Sequence, residues 1–135
     1  MIIRFVAATM LAAEIAIHVD LAPDHLHEIP YIGAGFILAS VLLTLALLGV
    51  LADRRAGWLL GAATCVGMAT LFMLSRTTGL PGFHEQWTSD GGLGLASLPP
   101  ETLFLACAIT VTRGHPTPAT APADVMASTA VGERS

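Results

Sequence analysis

Four apolar stretches, each close to the length of a membrane span, constrain the fold of this chain more than any other feature. They cover residues 2–21, 32–51, 58–74 and 93–112. A helix needs about 20 apolar residues to cross ~30 Å of hydrocarbon. Because lipid offers an exposed backbone no hydrogen-bond partners, helices are the expected form of such segments. The sequence therefore predicts an all-α fold, a bundle of four transmembrane helices within residues 1–113.

Composition favours a lipid environment over a nucleic-acid partner. Hydrophobic residues make up 54% of the 135 residues and charged residues only 12%, whereas about a quarter of a soluble domain is charged. All 6 cations are arginines, too few to neutralise the phosphates of a nucleic acid. The expected partners are the lipid bilayer and, within it, other membrane protein subunits or further copies of this chain.

The connecting segments differ in length and chemistry. Residues 52–57 form a short charged link, which predicts a tight hairpin between the second and third helices. Residues 22–30 are expected to be a link with two prolines, and residues 75–92 a longer one rich in glycine. Residues 114–135 are polar, with many Pro, Thr, Ala and Ser, and are predicted to be a disordered tail.

Arginine placement predicts the orientation in the membrane. If the chain crosses four times, Arg4, Arg54, Arg55 and Arg113 share one side, and Arg76 lies on the other. The positive-inside rule then places both termini in the cytoplasm. The expected location is the inner (plasma) membrane, as a multi-pass protein.

The start of the fourth helix is open to two interpretations. One interpretation is that a helix begins near residue 97. Ser97 could cap it, Pro99 and Pro100 suit its first turn, and Glu101 would lie beside the positive end of the helix dipole. A helix beginning there would be about 15 residues long, and the segment before it would be re-entrant. Alternatively, the helix spans 93–112 in full.

Small residues at four-residue spacing are expected to mark the helix contacts, because they let backbones approach closely in lipid. The pairs and stripes are Ala8, Ala12 and Ala16, then Gly35 and Ala39, then Gly61 and Cys65.

Histidines and carboxylates gather on the predicted outer side. The candidate ligands of a metal, Cu or Zn, or of a haem are His18, His25, Glu28 and His84. Imidazole and carboxylate groups are common metal ligands. A solvated polar loop would explain residues 25–28 equally well, since the sequence contains no fixed metal-binding motif.

Glu14 is the most informative polar residue, because a carboxylate within a membrane span is costly and usually functional. His18 lies four residues on, hence on the same helix face. Arg76, the lone outer cation, is expected to pair with Glu14, Glu28 or Glu101, or else to snorkel to the interface. We therefore predict a proton-handling or ion-pair group of Glu14, Arg76 and Glu101, although a structural, hydrogen-bonded Glu14 is the simpler alternative.

The chain resembles small four-helix bacterial membrane proteins in three segments. These are the run from Ser75 to Gly82, the acidic loop containing Trp87, and the His/Glu segment from His25 to Pro30. No activity is established for those proteins, so the resemblance implies the fold and brings no site residues.

Three functional hypotheses follow, and no catalytic residues are assigned. The first is an accessory or interaction subunit of a larger membrane complex or homo-oligomer, because the chain is short and has no catalytic motif. The second is a metal- or haem-binding membrane protein with an outer-face His/Glu site. The third is a proton-coupled carrier or membrane enzyme that uses Glu14 and His18.

Overall fold

The computed structural model describes residues 1–87 and 92–114, and every regular element in these ranges is an α-helix. The helices are α1 (Ile2–Glu28), α2 (Pro30–Leu51), α3 (Arg55–Thr77) and α4 (Leu93–Gly114). All four are long and apolar enough to cross a membrane. The predicted all-α fold with four such helices is therefore confirmed. The predicted tail at 115–135 lies outside the described residues.

The first connection is shorter than the sequence suggested. Instead of a link over 22–30, α1 continues through Pro23 to Glu28, and α2 begins at Pro30. Pro30 suits the first helical position, and its ring pushes the preceding residue out of the helical region. Ile29 accordingly has φ −141° and ψ 88°. One extended residue thus separates two long antiparallel helices, and the His25–Glu28 segment is helical.

The fourth helix is continuous from Leu93 to Gly114, so the interpretation that it starts near Ser97 is wrong. Pro99 and Pro100 lie inside it, and neither can donate a backbone hydrogen bond to the preceding turn. The hydroxyl of Thr102 donates to the carbonyls of Leu98 and Pro99, both at 2.9 Å. The proline pair is accommodated within the span rather than ending it.

The helices form a ring in chain order. The contact between α1 and α2 is the most extensive, α3 packs on α2, α4 packs on α1, and a smaller α3–α4 contact closes the ring. Arg4 pairs with Asp53 at 3.2 Å, which joins the start of α1 to the α2–α3 link. We call this end the arginine end. The opposite end, where α1 meets α2 and α3 leads towards α4, is the histidine end.

The apolar core occupies the half of the bundle nearer the arginine end. Its buried side chains come from all four helices: Ala7, Leu11, Leu43, Ala46, Val50, Trp58, Cys65, Phe104 and Ala108. The indole of Trp58 stacks on the ring of Phe104, with centroids 6.0 Å apart.

Glycine allows the closest helix approach in this half. A Cβ on Gly57 would lie 2.6 Å from the Cα of Gly49, so the backbones of α2 and α3 touch there. The predicted pair Gly61 and Cys65 is buried as expected.

The small-residue stripe on α1 was placed on the wrong face. Ala12 and Ala16 are exposed, whereas Ala7, Leu11 and Glu14 are buried. Large apolar side chains cover the outer surface, among them Leu38, Leu45, Leu48, Leu59, Val66, Leu71 and Leu103. An apolar exterior around buried polar groups suits contact with a lipid bilayer.

Candidate functional site

A cavity of about 280 Å³ lies inside the half of the bundle nearer the histidine end. All four helices and the segment after α3 contribute to its walls. Most of the lining is apolar, and its polar side chains are His18, Tyr31, Ser75, Arg76, Glu85, Ser97 and Glu101. An apolar hollow with a few convergent polar groups is the usual form of a small-molecule site.

The segment after α3 folds back over this cavity because it contains a tight turn. Leu80 and Phe83 exchange two backbone hydrogen bonds, of 2.6 and 2.8 Å. Between them Pro81 takes the second position of the turn, and Gly82 has φ +69°, which favours glycine. The Tyr31 hydroxyl donates to the Pro81 carbonyl at 2.6 Å. The turn thereby fastens Leu80, Phe83 and Glu85 to the start of α2 as a cap.

Arg76 joins this cap to α3. Its Nη1 lies 3.1 Å from Oε2 of Glu85 and donates to the Ser75 hydroxyl at 3.1 Å. The Glu85 amide also donates to the Ser75 carbonyl. The ion pair of Arg76 in the described residues is thus with Glu85, a partner that the sequence analysis did not name. Arg76 is buried, so the snorkelling alternative is wrong.

His25 lies on the other side of Glu85. Its Nδ1 donates to the Leu21 carbonyl at 2.9 Å, because a carbonyl can only accept. Its Nε2 is 3.8 Å from Oε1 of Glu85, a contact that is attractive when the ring is doubly protonated. Glu85 thus lies between an imidazole of α1 and a guanidinium of α3.

Glu14 and His18 share a face of α1 as the sequence predicted. The His18 Nδ1 donates to the Glu14 backbone carbonyl at 2.9 Å. The same nitrogen is 3.6 Å from Oε2 of Glu14, too far for a hydrogen bond. Glu14 is 0% exposed, and within the described residues neither of its carboxyl oxygens has a hydrogen-bond partner.

Glu101 brings a second buried carboxyl into the bundle. It is 2% exposed, and its Oε1 likewise finds no hydrogen-bond partner in ranges 1–87 and 92–114. Glu101 lines the cavity and interacts electrostatically with Glu14, so carboxyls of α1 and α4 lie near one another. We call these two carboxyls, Glu101 in the cavity wall and Glu14 near it, the acidic floor of the site.

Aromatic rings form much of the cavity wall. Phe36 makes edge contacts with His18 and His25, with centroids 5.4 and 4.8 Å apart. The Arg76 guanidinium carbon lies 3.9 Å from the centroid of the Phe72 ring. One cation is therefore already held on an aromatic face of this cavity.

The four predicted metal ligands are not brought together. His18 and His25 are buried, while Glu28 and His84 are exposed. Where the chain is described, no group of three or more His, Cys, Asp or Glu side chains is placed to hold a metal ion. The geometry gives the Cu or Zn hypothesis no support, and haem remains a sequence-based prediction.

Sequence reasoning missed several residues of the site. Glu85 was not named as a partner of Arg76, and the signal available was Pro81-Gly82, the turn that brings Glu85 back towards α3. Phe36, Phe72 and Ser97 also line the cavity. They belong to no motif, and in an apolar helix the sequence does not show whether such a side chain faces the cavity or the lipid.

Comparison with protein-family models, curated proteins and solved structures finds no match for this chain, so its function must be argued from the site itself.

Proposed function

We propose that the protein is a proton-coupled carrier that binds a small molecule in the cavity and exchanges it for protons at Glu14 and Glu101. The observation that carries this proposal is the acidic floor, where two carboxyls on different helices are buried with oxygens that lack hydrogen-bond partners in the described residues. A buried carboxylate without a partner is costly and calls for a proton or a bound cation. A proton and a bound cation would therefore compete for these carboxyls.

The cavity supports this proposal over the first sequence-based hypothesis. An accessory subunit does not require a hollow of about 280 Å³ beside buried ionisable groups. The third hypothesis used Glu14 and His18, and Glu101 of α4, predicted from the sequence to share a proton-handling or ion-pair group with Glu14, lies near Glu14.

We place the histidine end on the outer side of the inner membrane. Arg4, Arg54, Arg55 and Arg113 then face the cytoplasm, in keeping with the positive-inside rule. In this orientation the cavity and the cap formed by Leu80, Phe83 and Glu85 lie in the outer half of the membrane.

Infrared difference spectra and proton flux test the proposal together. Protein in lipid, stepped between high and low pH, should gain a carboxylic-acid C=O band that Glu14→Gln and Glu101→Gln each diminish. An exchanger moves protons without its substrate only by slippage, so in liposomes under an imposed pH gradient any proton entry that depends on the wild-type protein should be lost in the double variant. Glu28→Gln, which alters an exposed carboxyl at the same end, is the matched control and should behave as wild type.

Two results would count against a carrier. If the double variant retains both the infrared band and the proton flux of the wild type, Glu14 and Glu101 do not handle protons. If flux is absent throughout and the protein co-purifies with a stoichiometric membrane partner, the accessory-subunit hypothesis is favoured instead.

A further inference from the structure

The charges around the cavity do not cancel. Arg76 and Glu85 form an ion pair at 3.1 Å and offset one another. The carboxyls of Glu101 and Glu14 remain, both almost wholly buried, and Glu101 faces the cavity directly. When ionised, the acidic floor therefore gives the cavity a surplus of negative charge, which favours a positively charged occupant.

The hydrogen-bonding groups point to an occupant that donates. Oε1 of Glu101 is an acceptor without a partner in the described part of the chain. His18 already uses its Nδ1 proton on the Glu14 carbonyl, so its neutral ring offers Nε2 as a further acceptor. An ammonium group carries only donors and can satisfy a carboxylate with a charge-assisted hydrogen bond.

The side chains that line the cavity determine the polarity and the size of the ligand's remaining part. Phe36, Phe72, Phe83 and Leu71 line the cavity, so the body of a ligand must be apolar. Aromatic faces also attract cations, as the Arg76 guanidinium over Phe72 illustrates. A volume of about 280 Å³ is at the lower limit of small-molecule pockets, roughly 300–1,000 Å³. A ligand of about one ring with a short chain is the appropriate size.

We propose that the cavity binds a small lipophilic amine in its ammonium form, with the nitrogen on Glu101 and the apolar body against Phe36 and Phe72. This inference names the substrate class of the carrier and rests on the proton site proposed above. The ammonium and the proton compete for the same carboxyls, so amine binding displaces protons.

Other ligand classes fit the site less well. A carboxylate would meet Glu101 and Glu14, and Arg76 is already engaged by Glu85. A divalent metal would find fewer than three grouped ligands in the described ranges. A polyamine would place its second charge against the apolar wall.

Three probes of similar shape separate charge from shape. Binding of phenethylamine, 2-phenylethanol and phenylacetate to the purified full-length protein is measured by calorimetry at neutral pH, where the amine is a cation. The amine should bind at least about tenfold more tightly than the alcohol, because only the amine forms a charge-assisted contact with Glu101. The anion should bind more weakly than either. Equal or tighter binding of the alcohol or the anion, or no binding of the amine, would overturn the proposal.

Variants locate the binding site. Glu101→Gln retains the shape of the side chain and should reduce the amine's affinity about tenfold, to the level of the alcohol. Glu28→Gln should leave it unchanged, because Glu28 is exposed and outside the cavity lining. Circular dichroism verifies that each variant is folded. If Glu101→Gln is unfolded, Glu101→Met, which replaces the carboxyl with an apolar group of similar length, provides the test, and a folded variant with an unchanged amine-to-alcohol ratio would refute the assignment.

The infrared measurement distinguishes failure of this inference from failure of the proposed function. If wild-type protein binds no amine but still shows a carboxylic-acid band that depends on Glu14 and Glu101, the ligand class is wrong and the proton site stands. If both signals are absent, neither proposal holds. If the amine binds, adding it at constant pH should remove part of the band, because the ammonium displaces the proton.

Discussion

The two halves of the bundle contain the same four helices but hold them together in different ways. Towards the arginine end, α2 and α3 touch through Gly49 and Gly57, and Trp58 stacks on Phe104 in an apolar core. Towards the histidine end, the same helices separate around a cavity of about 280 Å³. In that half an ion pair between Arg76 and Glu85 links α3 to the cap.

This difference follows from the way in which membrane helices associate. Lipid is as apolar as leucine, so burial of apolar surface adds little, and close contact of small residues must supply the attraction. In the arginine half, the Gly49–Gly57 contact supplies that attraction between α2 and α3. In the half with the cavity, Gly33 gives a similar close contact between α2 and the Leu26 backbone of α1. No described glycine of α3 makes such a contact there, and α3 is joined to the cap by a buried ion pair, an arrangement that leaves room for a ligand.

The largest effect is expected from Arg76→Ala. The variant removes one partner of a buried ion pair and leaves Glu85 with only the more distant His25 ring, 3.8 Å away, at a cost of about 3 kcal/mol. Chemical unfolding of the purified protein in detergent measures the loss. Arg113→Ala removes an exposed arginine and is the control, with little expected change. A loss no larger than that of Arg113→Ala would mean that the histidine end is not held by this ion pair.

Replacement of glycine by alanine compares packing in the two halves directly. A Cβ on Gly57 would lie 2.6 Å from the Gly49 Cα, so Gly57→Ala must push α2 and α3 apart, at a cost of about 1–3 kcal/mol. Gly35 lines the cavity, and a Cβ there would meet nothing within 4 Å. Gly35→Ala should therefore be neutral or stabilise the helix, by at most about 1 kcal/mol.

Unfolding free energies of both alanine variants, measured under one set of detergent conditions, provide the comparison. The same sign and size of change at Gly57 and Gly35 would contradict the view that one half is closely packed and the other open.

The contrast between the halves was only partly predictable from the sequence. The number and type of the helices followed from apolar length alone, since no other backbone form suits lipid. Which face of each helix is buried could not be predicted in the same way, because Ala8, Ala12 and Ala16 are as apolar as the residues around them. In an all-apolar helix the periodic pattern that marks the buried face of a soluble helix is absent.

The polar residues were the better guide to the site. Glu14 was named from the cost of placing a carboxylate in a membrane, His18 from its position four residues on, and Glu101 as a partner of Arg76; all three are buried in the bundle. The partner of Arg76 was missed because it depends on the turn at Leu80–Phe83, which reverses the chain beyond α3. Proline positions misled twice, since Pro23 and the Pro99–Pro100 pair lie inside helices rather than at their ends.

The smallest effect is expected from the ion pair at the arginine end. Arg4 and Asp53 are 3.2 Å apart, but their side chains are 37% and 64% exposed. Water and salt screen such a pair, so Arg4→Ala should cost at most about 1 kcal/mol. Asp53 has φ +56°, so asparagine, which tolerates the left-handed region, is the appropriate replacement for it.

A double-mutant cycle with Arg4→Ala and Asp53→Asn isolates the coupling energy between the two side chains, and a parallel cycle with Arg76→Ala and Glu85→Gln does the same at the histidine end. The two ion pairs have nearly the same separation, 3.2 and 3.1 Å, so burial is the main difference between them. The coupling at the arginine end should be the smaller and should fall further in high salt. Equal couplings with equal salt dependence would mean that the histidine end is as hydrated as the surface, and a hydrated cavity would weaken the case that Glu14 and Glu101 need a proton or an ammonium to neutralise them.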